Sequence, residues 1–150
     1  MSISVVLLPV AIAAVRTATD RIDRRLEKGG LVCSVSTRMR DGVLLAQALE
    51  DTGAAVTPSD DALEITWTDV TARFDRDDEG IWSAFFEGNV DEDRARELVG
   101  AVDAAYGRRV QSAVVDRLRQ RAPAAGLRLD SETVAADSSV TVVLTVERRA

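Results

Sequence analysis

Apolar residues recur along this chain with two periods, and the changes of period mark its elements. Ile3 to Leu8 is a β-branched, apolar run that predicts a buried, interior strand. Pro9 suits the first turn of a helix, where its missing N–H would be unpaired anyway. That helix is expected to run to about Lys28, apolar in VAIAAV and wetter in TDRIDRRLEK, and to stop at Gly29-Gly30. Leu31 to Arg40 alternates Leu31, Cys33 and Val35 against Val32, Ser34 and Ser36, which predicts a strand. Asp41-Gly42 opens a helix with Leu44, Leu45 and Leu49 on one face, and Gly53 closes it. A short strand is expected at Ala54–Val56.

The middle of the chain has period two. Leu63, Ile65 and Trp67 alternate with Glu64, Thr66 and Thr68, then Val70, Ala72 and Phe74 with Thr71, Arg73 and Asp75. The phase slips between Trp67 and Val70, so a bulge or turn belongs there. Ile81 to Glu87 is the next strand, and its pairs Ile81-Trp82 and Phe85-Phe86 must point to opposite faces. From Asp91, a plausible N-cap, to Ala122 the period becomes helical, with Leu98, Val99, Val102, Tyr106, Val110, Ala113, Val114 and Leu118 on the apolar stripe. Gly100 and Gly107 interrupt it, permitting close packing or a bend, and Pro123 ends it. Leu127–Val134 and Val140–Val146 form a hairpin around Ala136-Asp137-Ser138-Ser139. The expectation is a single α+β domain, a mostly antiparallel sheet packed by one long and two shorter helices. Residues 1–30 form a strand–helix extension packed on a core of 31–150.

Composition narrows the function. At 150 residues, 46% apolar and 29% charged, the chain is long enough to bury one sizeable core. The net charge of −6 argues against general nucleic-acid binding, which needs a basic footprint. The acidity is concentrated: residues 31–90 carry twelve acids against four bases, a surface that suits a basic partner or simple solubility. There is no histidine and a single cysteine, Cys33. A Ser-His-Asp triad, a Cys-His pair, an imidazole metal site and an intrachain disulfide are therefore excluded. Cys33 reads as a buried small hydrophobe. Gly29-Gly30 lacks both phosphate-loop patterns, so no cofactor is expected. The apolar run 3–15 is shorter than the roughly 20 residues a spanning helix needs and lacks the preceding basic residues of a secretory signal, so a cytoplasmic protein is expected.

The most suggestive acidic stretch is FDRDDEGIW, residues 74–82. Counted as a calcium loop from Asp75, it puts Asp77, Glu79 and Gly80 in register, but Phe86 stands where the bidentate Glu belongs. Its flanks have strand periodicity, so it reads as a hairpin turn in which Gly80 supplies positive φ. Acids on a hairpin tip are solvated and do not make an acid–base dyad. Arg108-Arg109, after Tyr106 and Gly107, reads as a solvated helix face or as an anion or acidic-partner contact.

From Ser36 to Glu147 the order of parts resembles a family of unknown function, the hypothetical chloroplast reading frame thirty-five family of plastids, cyanobacteria and other bacteria. The resembling pieces are STRMRDGVLLAQALEDTG, ARFDRDDEGIWSAFFEG, AAYGRRV, and the terminal hairpin after RAPAAGLRLD. Residues 3–28 stand as an addition, and Gly107 occupies a position where a larger residue is expected. The resemblance implies no enzymatic activity and an accessory role beside an AAA+ ATPase. It agrees with the reading of the residues: a non-enzymatic interaction or adaptor protein with a protein partner, an AAA+ ATPase or a second copy, and no nucleic acid. The expected partner-binding residues are Tyr106, Arg108, Arg109 and Trp82, beside the acidic β region. The alternatives are a small-ligand-binding domain, with its pocket between long helix and sheet near Tyr106 and Trp82, and membrane association through residues 3–15.

Overall fold

A computed structural model describes residues 2–7, 22–27, 30–88 and 90–147. They form nine strands: β1 (Ser2–Leu7), β2 (Ile22–Glu27), β3 (Gly30–Ser36), β4 (Ala55–Ser59), β5 (Ala62–Thr66), β6 (Thr71–Arg76), β7 (Trp82–Glu87), β8 (Leu127–Val134) and β9 (Val140–Val146). The helices are α1 (Gly42–Asp51) and α2 (Glu92–Arg121), with a 3-10 turn at Pro123–Ala125. All strand pairs are antiparallel, in sheets ordered β2-β3-β7-β6-β5-β4 and β1-β9-β8, so the fold is α+β.

The chain divides into two compact units, residues 11–106 and residues 1–10 with 107–150. In the larger unit, alternation puts Cys33, Val35, Ala72, Phe74, Trp82, Ala84, Phe86, Leu63 and Ile65 into one core. Leu45 and Leu49 of α1 and Leu98, Val99 and Val102 of α2 complete that core. Ser34, Phe85, Arg73 and Glu64 lie across one row of the other sheet face. Phe85 is half-buried there, the one aromatic of its row.

Local chemistry sets the boundaries. Asp41 Oδ1 accepts from Val43 N and Leu44 N at 2.9 and 3.0 Å, capping α1. Asp91 Oδ1 does the same for Arg94 N at 2.7 Å at the start of α2. The acidic hairpin is a turn, as expected: Asp77 Oδ1 accepts from Glu79 N and Ile81 N, and Gly80 has φ +80°. The phase slip after Trp67 is also a turn, closed by Trp67 N donating to Val70 O at 2.8 Å.

Four expectations are corrected. The helix expected over Pro9–Lys28 ends in a strand, because Ile22–Glu27 pairs with β3 from Ile22–Val35 to Glu27–Gly30; backbone pairing overrides the helix propensity of Arg, Leu and Glu. Residues 8–21 lie outside the described residues. Among the described residues the α-helices are α1 and α2. Among the described residues β1, expected to be interior, is an edge strand with Ile3 49% and Val6 57% exposed. In the second half of α2, Val115 is buried and Val114 is 39% exposed, the reverse of the expected stripe. Of the two roles expected of Gly100, close packing or a bend, the first is not met: a Cβ there would meet nothing within 4 Å.

The smaller unit has its own, thinner core. Val140, Val142 and Leu144 of β9 pack with Val115, Ala122, Leu127 and Leu129. β8 breaks register between Leu129 and Ser131. The β8–β9 turn is held by Ala135 N donating to Ser139 O at 2.9 Å, with Ser138 at φ +65°.

Candidate functional site

Trp82 and Tyr106 belong to the larger unit, where they anchor the segment 37–41 between β3 and α1. Trp82 N donates to Met39 O at 2.9 Å, and the Thr37 hydroxyl donates to Trp82 O. Thr37 Oγ1 also accepts from Met39 N at 3.2 Å. The Tyr106 hydroxyl accepts from Arg40 N and Asp41 N at 3.3 and 3.2 Å. These bonds satisfy backbone groups that would otherwise be lost at a strand-to-helix junction.

The indole of Trp82 is 6% exposed, on the same strand face as Ala84 and Phe86, so it is a core residue and offers no contact surface. It lies against the first turn of α1: a Cβ on Gly42 would stand 2.9 Å from Trp82 Cζ2. Its Nε1–H has no hydrogen-bond partner among the described residues. One turn of α2 before Tyr106, Asp103 is 9% exposed. Burial raises its carboxyl to a pKa of about 6, against the opposing pull of the Arg38 guanidinium. Sequence reading did not single out Asp103; the only available signal was an acid at i−4 from Gly107 and i−3 from Tyr106 on the apolar side of a helix.

Arg108 and Arg109 fall in the smaller unit. Arg108 is exposed and lines an open groove of about 410 Å³ between α2 and the β8–β9 hairpin, with Val115, Glu132, Val134 and Val140. Gln111 Nε2 donates to Ser138 O at 2.9 Å across it. At its other end Arg119 pairs with Asp116 at 2.7 Å and with Glu132. Arg109 is half-buried and does not line the groove. The four expected residues therefore do not form one site: Trp82 and Tyr106 hold a junction, and Arg108 faces a groove.

Among the described residues, no group of three or more His, Cys, Asp or Glu is placed to hold a metal ion, and no helix is long and apolar enough to cross a membrane. The described residues make an α+β fold whose smaller unit carries a groove of mixed lining, with Val115, Val134 and Val140 among charged and polar side chains. No family model, curated protein or solved structure matches the chain.

Proposed function

We propose that this chain is a non-enzymatic interaction module, an adaptor for an ATPase or a larger assembly, and that the groove lined by Arg108 and Val134 receives the partner. The observation that carries this reading is the placement of exposed apolar side chains. Among the described residues, Ile3, Val6, Val114, Val134 and Val146 are exposed in the smaller unit and Val43 in the larger. Val134, 65% exposed, lines the groove together with Val115 and Val140. Arg119 is matched by Asp116 and Glu132, which leaves Arg108 as the cation facing the groove for an incoming carboxylate. The partner element that fits presents an apolar side chain to Val134 and an acid to Arg108. The resemblance to the reading-frame-thirty-five family points to an AAA+ ATPase as its source.

The alternative, a small-ligand pocket near Tyr106 and Trp82, gains no support from the packing: the indole already fills the space against Gly42. Co-purification from the native host, with and without ATP, tests the proposal when wild type is run beside a Val134→Asp, Arg108→Glu variant. The expected result is a stoichiometric protein partner retained by wild type and lost by the variant, with thermal midpoints equal. Recovery of the bait alone, or equal retention by both forms, overturns it.

A further inference from the structure

The described sheets expose four strand edges, and three are protected against pairing with another chain. β2 carries Asp23, Arg24, Arg25 and Glu27. β4 contains Pro58, which cannot donate a ladder bond. β8 carries Arg128, Asp130 and Glu132, and its register breaks after Leu129. β1 has none of these devices. Its sequence SISVVL is uncharged and free of proline, and it pairs with β9 without a register break from Ser2–Thr145 to Leu7–Val140. Its second edge is open among the described residues, and Ser2, Ile3, Ser4 and Val6 are exposed.

We propose that β1 is a self-association edge: two copies of this chain pair β1 to β1, antiparallel about a two-fold axis, into one sheet ordered β8-β9-β1-β1-β9-β8. A second copy fits because the strand is complementary to itself. In an antiparallel pair, directly opposed residues share a face. Two-fold pairing therefore sets Ile3 and Val5 of one copy among Ile3 and Val5 of the other, on the face that carries Val142 and Leu144. Ser4 and Val6 meet Ser4 and Val6 on the opposite face. No charge is placed against a like charge, because β1 has none. The pairing also covers exposed Ile3 and Val6. An isologous contact of this kind closes at two copies and leaves β8, the protected strand, as the outer edge. It does not depend on the groove reading, and it concerns the chain alone.

Sedimentation of the purified full chain across a wide concentration series tests it, with Ser4→Lys/Val6→Lys and Ser4→Glu/Val6→Glu variants beside wild type. Both substituted positions are exposed. Wild type is expected at twice the protomer mass, and each charged variant at the protomer mass with an unchanged circular dichroism spectrum. Mixing the Lys and Glu variants is expected to restore the dimer, because antiparallel pairing sets the two signs opposite each other. A wild type that stays monomeric throughout overturns the proposal. So does a Lys variant that remains dimeric, since the contact is then elsewhere, or a folded pair of variants that fails to associate on mixing.

Discussion

The two units solve the same problem with very different means. The larger one covers one face of a six-stranded sheet with α1 and the first half of α2, and buries Phe74, Phe86, Ile65, Leu45, Leu49 and Val102 completely. Among the described residues, the smaller one has three strands, the second half of α2 and a core of valines, leucines and Ala122, with no aromatic side chain in it. Buried apolar area is the main favourable term in folding, at roughly 25 cal/mol per Å². The larger unit thus has the deeper core, and hydrogen bonds from Trp82 and to Tyr106 hold its 37–41 segment. The smaller one keeps Ile3, Val6, Val114, Val134 and Val146 in water. What the difference teaches is that, among the described residues, exposed apolar side chains collect beside the thinner of the two cores.

The strongest way to break the comparison is to hollow out each core in turn. Phe86→Ala removes a fully buried ring that stacks on Trp67 at 6.3 Å between centroids. It is expected to cost about 3–5 kcal/mol in urea denaturation. Val142→Ala, at the centre of the smaller core, is expected to cost about 1–2 kcal/mol, because fewer carbons and a shallower core are lost. Equal costs would remove the distinction between a deep and a thin core.

Gly42→Ala is expected to cost roughly 1–3 kcal/mol, because the new methyl meets the Trp82 ring. A red-shifted tryptophan emission would accompany it, since the displaced indole leaves the buried face of β7. Unchanged emission and stability would show that the ring yields freely.

Asp103 makes the smallest and most diagnostic change. Its carboxyl is raised from 3.8 to about 6 in the folded protein, so the folded state holds its proton more tightly than the unfolded chain does. The resulting stabilisation is fully present below about pH 3.8 and is lost as the pH rises through about 6. Asp103→Asn is expected to remove that slope and to raise stability at pH 7 by roughly 1–2 kcal/mol. Parallel pH–stability curves for the two forms would show that this carboxyl is not held in a desolvated place.

Much of the larger unit is legible from residues close in sequence. Period-two alternation marks β5, β6 and β7, and Asp-Asp-Glu-Gly marks their turn. Asp41 and Asp91 mark where helices begin, and Gly53, at φ +84°, where α1 ends. The candidate site was only partly legible. Arg108 stood out as a cation on a helix face, but the pattern could not tell that Trp82 would be core and Tyr106 a bond acceptor for a junction 65 residues away.

What the sequence determined by itself was the local menu: which segments extend, where they turn, where helices are capped, and that no imidazole chemistry is available. Those properties depend on neighbours within a few residues. Only the tertiary structure decided that Ile22–Glu27 pairs as a strand, that β1 joins β9 across nearly the whole chain, and that Val115 rather than Val114 faces the core. The period alone cannot choose among the contiguous apolar residues Ala113, Val114 and Val115. The choice is made by the strand that Val115 meets, Val140 to Leu144, and no local pattern encodes a contact made by residues so far along the chain.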